Sequence, residues 1–218
     1  PQENHYWLGF HELDVQRLFT RVVKKNFVVY DIGAYLGFYS LLSGRLAGLS
    51  GRVYAFEPLP RNVERLKFHI LLNGMQDTVF CIPKAVADKT GKVLYRDLDR
   101  DDYARFVDVE SREDNHLTKA GTIVETISLD EFVFRENHLA PNLIKIDVEG
   151  GELKVLLGAQ LLLKECKPVI ICELHSSYVS PVEVYKELTR LGYRLKDSRG
   201  RVISLIPKQG HIVAWPKE

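Results

Sequence analysis

Residues 29–40 read VYDIGAYLGFYS, and residues 145–152 read KIDVEGGE. Each stretch has acids and glycines where the backbone is expected to turn, and is typical of the end of a buried parallel strand that gives way to a helix. Ligands of open α/β sheets bind beyond the carboxyl ends of such strands. The two turns therefore predict one cleft with two halves, one for each substrate of a two-substrate reaction.

The rest of the chain alternates between strand and helix patterns. Apolar runs predict strands at 27–32, 52–56, 78–82, 143–147 and 169–174, and a late antiparallel pair near 193–196 and 212–215. Helical faces are predicted for Val15, Leu18, Phe19 and Val22, for Val63, Leu66 and Ile70, and for Leu153, Leu156, Leu157 and Leu161. This order predicts the α/β class, with a doubly wound, mostly parallel, Rossmann-like sheet, helices on both faces and antiparallel strands at the C-terminal end.

A length of 218 residues suits a single domain that spans residues 1–218. Residues 1–26 are predicted to form an N-terminal helical segment. Residues 96–120 interrupt the alternation with eight acids against five bases. Because long loops are often lids, we interpret 96–122 as a charged insertion or lid, with a solvated hairpin tip as the alternative.

Composition gives no sign of a macromolecular partner. The net charge is +1, so no global field attracts nucleic acid or a membrane. No apolar run approaches the roughly 18 residues of a spanning helix. Cys81, Cys166 and Cys172 lack metal-ligand spacing, and unpaired thiols favour a reducing compartment. We therefore expect a cytoplasmic protein. The sequence carries no signal for an oligomeric state.

Gly33 and Gly37 have a G-x-x-x-G spacing that favours a ligand with a ribose but without a pyrophosphate. A dinucleotide site prefers G-x-G-x-x-G, because the pyrophosphate sits against the helix amino end. The two glycines would let a ligand approach the backbone closely. Glu57 ends the next strand, where a carboxylate can accept hydrogen bonds from both ribose hydroxyls. S-adenosylmethionine fits these features, with its amino-acid end on the Asp31 side.

Five short motifs resemble the FkbM family of class I S-adenosylmethionine-dependent methyltransferases. They are D-I-G-A-x-x-G-x-x-S at Asp31–Ser40, A-F-E-P at Ala55–Pro58, A-V-A-D at Ala85–Asp88, S-L-D at Ser128–Asp130 and I-K-I-D-V-E-G-G-E at Ile144–Glu152. Tyr6-Trp7-Leu8-Gly9 with Glu12 also resembles the segment that precedes the first motif in that family. The resemblance implies methyl transfer to a hydroxyl of a small molecule, such as a sugar, a polyketide or a related metabolite.

By position, the resemblance also implies a cofactor site at several strand ends. Its residues would be Asp31, Gly33, Ala34, Tyr35, Gly37, Glu57, Pro58, Ala85 and Asp147. Ala85 would lie near the adenine.

Asp147 and His175 are the candidate catalytic residues. Asp147 ends one strand beside the expected methyl position, and His175 follows the next strand. Transfer to a hydroxyl needs positioning and a base, and histidine is the commonest base near neutral pH. We expect one of the two to be the base and the other to orient it. Glu149 and Glu152 can be explained as carboxylates stabilised at a helix amino end.

A divalent metal is the alternative at this second turn. Asp147, Glu173 and His175 are a possible ligand set, because carboxylates and an imidazole can hold a cation that lowers the pKa of the acceptor. Leu174 separates Glu173 from His175, so both side chains should point to the same side of the strand. That geometry permits either role.

Three other functions compete with this interpretation. An RNA ribose 2′-O-methyltransferase could use the basic region from Lys186 to Lys217, where eight bases face two acids. Such enzymes resemble one another in a Lys-Asp-Lys-Glu tetrad. The strand predicted at 169–174 instead ends in Glu-Leu-His and has no lysine at its tip, so nucleic acid is disfavoured as a partner. The glycine spacing disfavours a nicotinamide-dependent oxidoreductase. Intact Gly33, Gly37 and Glu57 disfavour a binding module that has lost its cofactor.

Overall fold

A computed structural model describes residues 12–97, 104–107, 121–175, 180–203, 206–207 and 209–217. The segment Tyr6–Gly9 and most of the charged insertion at 96–122 lie outside this range, as do residues 176–179.

The strands of the described residues form two sheets. In chain order they are β1 (Val28–Ile32), β2 (Arg52–Phe56), β3 (Val79–Ile82), β4 (Ala85–Val86), β5 (Gly91–Asp97), β6 (Ala104–Val107), β7 (Gly121–Ile127), β8 (Leu143–Ile146), β9 (Val169–His175), β10 (Tyr193–Asp197) and β11 (Gln209–Pro216). The larger sheet has the order β10-β11-β9-β8-β1-β2-β3. Its strands from β9 to β3 are parallel, and β11 runs antiparallel to both of its neighbours. The predicted doubly wound sheet with antiparallel C-terminal strands is confirmed.

Helices connect the parallel strands. They are α1 (Leu13–Val22), α2 (Phe38–Ala47), α3 (Pro60–Leu72), a π-helical turn (Glu131–Arg135), α4 (Glu152–Leu157), α5 (Gln160–Glu165) and α6 (Pro181–Arg190). Pro60 and Pro181 each stand in the first turn of their helix, where proline's missing N–H has no intrahelical partner to lose.

Apolar layers cover both faces of the larger sheet. Tyr30 and Phe56 point into one layer, which also holds Phe132, and Val29 and Val53 point into the other. This split follows the two-residue period of a strand. The predicted inward faces of α1 and α3 are confirmed, because all the residues that were assigned to those faces are buried.

The predicted helical face after β8 is wrong in part. Leu157 and Leu161 are 46% and 45% exposed, whereas Leu162 and Leu163 are buried. The helical run breaks at Gly158, where an added Cβ would lie 2.0 Å from the carbonyl oxygen of Ala87. This close approach separates α4 from α5 and changes which residues of the second helix face the core.

The smaller sheet has the order β4-β7-β5-β6 and was not predicted. Its strand β6 pairs antiparallel with β5 and lies inside the segment that the sequence assigned to a charged insertion. The four residues of β6 read ARFV, a run too short to stand out among the many charged residues on either side of it.

Among the described residues, no helix combines the length and the apolar character that crossing a membrane requires.

Candidate functional site

The two turns quoted from the sequence contact each other at the carboxyl edge of the larger sheet. β1 and β8 are adjacent and parallel, and the N–H of Asp147 donates to the carbonyl of Ile32 over 3.0 Å. The ends of β2 and β9 lie on either side of this pair. The predicted cleft residues therefore come from four strand ends on one edge.

The glycines of the first turn are required by the protein's own packing. Gly33 has φ +79°, and a Cβ there would lie 1.8 Å from the carbonyl oxygen of Asp147. Gly37 has φ +91°, and a Cβ would lie 2.4 Å from a methyl carbon of Leu66. Gly33 allows the first turn to press against the second, and Gly37 allows α2 to start over the core. Close approach of a ligand to the backbone at these glycines stays a prediction.

Glu57 is buried at the end of β2 and organises the turn opposite it. One carboxylate oxygen, Oε2, accepts the N–H of Tyr35 over 2.9 Å. The other, Oε1, accepts the N–H of Leu59 and the side-chain amide of Asn62. Burial raises the pKa of Glu57, and these three donors oppose that rise. Because a carboxylate offers about four acceptor positions, the described part of the chain leaves one position on Oε2 unfilled.

Asp31 and Asp147 share one buried ammonium group. The Nζ atom of Lys145 lies 3.0 Å from Oδ2 of Asp147 and 3.5 Å from Oδ1 of Asp31. Burial lowers the pKa of Lys145, but the two carboxylates raise it by more, so the side chain stays charged. Ser40 donates to the second oxygen of Asp31 over 2.6 Å. Oδ1 of Asp31 accepts no hydrogen bond within the described part of the chain, so a donor on a ligand's amino-acid end would fit it.

His175 is the last residue of β9 and is surrounded by carboxylates. Its Nδ1 lies 2.6 Å from Oε1 of Glu152, a side chain that is 1% exposed. Its Nε2, on the other side of the ring, lies 3.5 Å from Oε2 of Glu149 and 3.8 Å from Oδ1 of Asp147. The two predicted catalytic residues thus lie close together, with Glu149 beside them.

These neighbours change how the site holds protons. Burial lowers the pKa of His175, but the hydrogen bond to Glu152 and the charges of Glu149 and Asp147 outweigh it and raise the pKa to about 9. Burial raises the pKa of Glu149 to about 7, and His175 opposes that rise. Near neutral pH these shifts favour the positively charged imidazolium of His175 and make Glu149 easier to protonate than an ordinary glutamate.

A second histidine reaches the same edge from β11. This strand runs antiparallel to β9 and places His211 opposite Glu173. Nε2 of His211 lies 3.3 Å from one oxygen of Glu173 and 3.3 Å from one oxygen of Glu12. The hydroxyl of Tyr39 donates to the other oxygen of Glu12 over 2.8 Å. Burial lowers the pKa of His211, but the two carboxylates raise it by more.

The residues of the predicted metal set are divided between two groups. Potential ligand atoms lie within 4.8 Å of one another in Asp147, Glu149 and His175, and again in Glu12, Glu173 and His211. Glu173 stands between them, because its Oε1 is 3.8 Å from Nε2 of His175 while its Oε2 faces His211. Comparison with known proteins gives no support for a metal here.

The remaining predicted cofactor residues are Ala34 and Tyr35 in the first turn, Pro58 after β2 and Ala85 in the smaller sheet. Ala34 is buried and donates its N–H to the carbonyl of Phe56 over 2.9 Å. Tyr35 has φ +49°, which is strained for a residue with a side chain. Pro58 follows Glu57 and is partly exposed, and Ala85 is buried in β4.

Sequence reasoning missed the roles of Glu12, Glu152 and His211. Glu152 starts a helix, so a stabilised helix end explained it sufficiently. His211 lies on a strand whose pairing register was not predicted. The predicted antiparallel strand could have indicated His211. A strand that pairs with Glu-Leu-His must place one of its residues opposite Glu173.

Acids offset part of the basic C-terminal region. Arg190 pairs with Glu187, Arg201 pairs with Asp197, and Arg199 pairs with Asp14, over 2.6, 2.7 and 3.3 Å. Glu187 and Asp197 are the two acids already in the sequence count, so Asp14 is the one additional acid that these three ion pairs bring to the region.

Known proteins resemble this chain in sequence and in fold. The profile of the family described as "Methyltransferase FkbM domain" matches residues 31–195. The hexuronic acid methyltransferase AglP of Haloferax volcanii is 28% identical over 179 residues, which cover 82% of this chain and 68% of that protein.

Two solved structures share the fold. The methyltransferase FkbM of Methylobacillus flagellatus superposes with a TM-score of 0.57 at 16% identity, covering 98% of this chain and 54% of that one, so this chain spans about half its length. An S-adenosylmethionine-dependent O-methyltransferase of Thermotoga maritima has a TM-score of 0.57 at 13% identity, covering 94% of this chain and 65% of that one. Since the family profile covers most of the sequence and the strand ends carry its motifs, the chain belongs to the FkbM family of methyltransferases.

Proposed function

We propose that this protein transfers a methyl group from S-adenosylmethionine to a hydroxyl of a sugar or related small molecule, with sugar acids as the first acceptors to test. The observation that carries the proposal is the direct contact between the turn after β1 and the turn after β8. This contact supports a shared site, because predicted cofactor residues and predicted catalytic residues stand on the two turns that meet. The relative that methylates a hexuronic acid directs the choice of acceptor.

The cofactor part of the proposal rests on the first turn. Glu57 keeps an acceptor position for a ribose hydroxyl, and Asp31 keeps one for an ammonium group. The fold neighbour from Thermotoga maritima is named for its dependence on S-adenosylmethionine. When bound, this cofactor would supply an electrophilic methyl group.

The acceptor part rests on His175 and Asp147. Nε2 of His175 is directed into the cleft, and its lone pair can take the proton of the acceptor hydroxyl once the imidazole is neutral. Asp147 has one oxygen held by Lys145 and turns the other toward the imidazole. We assign the base to His175 and orientation to Asp147. Because the pKa of His175 is about 9, the reactive form becomes more abundant as pH rises toward that value.

The test measures methyl transfer to a panel of glucuronic and galacturonic acid glycosides and their neutral counterparts, with labelled S-adenosylmethionine. A radioactive product that survives mild alkali supports an ether, and a product released by alkali is an ester of the carboxylate. His175→Gln should lower turnover by about 10²–10⁴-fold while cofactor affinity stays unchanged. Tight binding of the cofactor without transfer to any hydroxyl would overturn the O-methyltransferase assignment. Full activity of both His175→Gln and Asp147→Ala would remove this pair from the mechanism.

A further inference from the structure

Glu152 has its carboxylate on the Nδ1 side of the His175 imidazole. It is the first residue of α4, and 1% of its surface is exposed. Its Oε1 atom accepts the N–H of Gly150 over 3.1 Å and lies 2.6 Å from Nδ1 of His175. An oxygen that already accepts one N–H faces the imidazole as an acceptor, so Nδ1 must carry the hydrogen that fills this short contact.

This contact determines which nitrogen of the neutral imidazole has a free lone pair. A neutral ring carries one hydrogen, and with that hydrogen on Nδ1 the lone pair is on Nε2. Nε2 lies on the other side of the ring, 3.5–3.8 Å from carboxylate oxygens of Glu149, Asp147 and Glu173. With the opposite tautomer, Nε2 would present a hydrogen to the acceptor and could not take a proton from it.

We propose that Glu152 is a positioning residue that holds His175 in the Nδ1–H tautomer, with the Nε2 lone pair directed at the acceptor hydroxyl. In the step that this arrangement serves, the hydroxyl oxygen forms a bond to the methyl carbon while the sulfur–carbon bond breaks. The electron pair of that bond returns to sulfur, and the hydroxyl proton moves to Nε2. The kinetic consequence rests on the proposed function, whereas the tautomer is a property of the free protein.

The charges around His175 define suitable variants. Glu152→Gln keeps an oxygen acceptor of the same size but removes the charge. Glu152→Ala removes both the oxygen and the charge. Glu149→Gln is the matched control, since Glu149 belongs to the same carboxylate cluster but lies 3.5 Å from the ring on its Nε2 side.

The experiment is a pH titration of ¹⁵N-histidine-labelled protein by long-range ¹H–¹⁵N correlation, with His175→Gln identifying the His175 signals. At high pH the wild type should show the Nδ1–H form. Glu152→Gln should keep that form but titrate about 1–3 pH units lower, because an anion near the imidazolium has been lost. Glu152→Ala should mix the two tautomers, and Glu149→Gln should keep the wild-type form.

Two results would overturn the inference: a wild-type imidazole with its hydrogen on Nε2, or an unchanged tautomer in folded Glu152→Ala. If Glu152→Ala does not fold, the lower titration midpoint of Glu152→Gln decides instead, and an unchanged midpoint contradicts the role. When methyl transfer is measurable, Glu152→Ala should lower kcat by about 10²-fold, the cost of a small misplacement, with cofactor affinity unchanged. If the wild-type protein shows no methyl transfer to any acceptor, the proposed function is contradicted. The tautomer result is independent of that outcome, because it is measured on the free protein.

Discussion

Lys145 lies 3.5 Å from Asp31, so a side chain of the second turn neutralises a carboxylate of the first. The same ammonium group is 3.0 Å from Asp147, and it is almost fully buried. Replacing it with an apolar side chain would leave both carboxylates facing each other without a cation. Breaking a buried ion pair from one side typically costs several kcal/mol.

We therefore predict that Lys145→Met lowers the free energy of unfolding by about 3–5 kcal/mol. Urea unfolding measures this, with Lys164→Met as the control, because Lys164 is exposed. Adding Asp31→Asn to Lys145→Met should restore part of the loss, since one uncompensated charge is removed. Equal stability of Lys145→Met and Lys164→Met would show that the bridge contributes nothing.

Glu57→Gln should weaken binding of S-adenosylmethionine by about 1.5–3 kcal/mol, the range for a hydrogen bond to a charged group. Glutamine keeps the size of the side chain, so the turn that Glu57 organises is disturbed less than by alanine. Calorimetry provides the measurement, and Glu64→Gln on the exposed side of α3 is the matched control. Tight binding of NAD in place of S-adenosylmethionine would refute the cofactor assignment.

Gly37→Ala should destabilise the fold rather than affect cofactor affinity alone. Its φ of +91° disfavours any side chain, and its Cβ would meet Leu66. Gly74→Ala is the control, because Gly74 has φ +63° with open space around its Cβ position. We expect about 1–2 kcal/mol of lost stability for Gly74→Ala and about 1–3 kcal/mol more for Gly37→Ala. Thermal or urea unfolding of the two variants tests the difference, and equal losses would mean that Leu66 adapts freely.

Stability should fall as pH rises from 6.5 to about 9. The folded pKa of His175 is raised to about 9 from an ordinary value of 6.5, so the folded state binds the proton more tightly. Its contribution is complete below pH 6.5 and is lost as pH rises through about 9; it amounts to about 3 kcal/mol. Urea unfolding at both pH values should show a smaller drop for His175→Gln than for the wild type. An identical drop in the two proteins would contradict the raised pKa.

A chelator should leave methyl transfer unchanged. Asp147 is already paired with Lys145, and the side chains of the predicted ligand set belong to two separate groups. Turnover before and after dialysis against EDTA tests this, with magnesium and manganese added back to the treated enzyme. Activity that disappears with EDTA and returns with a divalent metal would favour metal-assisted transfer, because ligand removal and metal restoration are linked.

The ends of the parallel strands were predictable because the residue pattern along the chain and the position of the strand end in the sheet give the same answer. A buried strand needs an apolar run, and a ligand edge needs polar residues just after it, so Asp31, Glu57 and Asp147 could be assigned from sequence. The reason for Gly33 could not, because the atom that it avoids belongs to a turn far away in the chain. His211 and Glu152 were missed for a similar reason. Their partners are set by strand pairing and by helix packing, which leave no short-range pattern.

The position of β11 has a consequence for folding during synthesis. It follows both β9 and β10 in the chain, yet it lies between them in the sheet. Until residues 209–216 are available, the apolar strand Val169–His175 has an unpaired edge. Such an edge can form hydrogen bonds with a strand of another chain and cause aggregation. A nascent chain that stalls before this point should therefore depend on a chaperone. We expect proteases to degrade such a chain before it becomes an active enzyme.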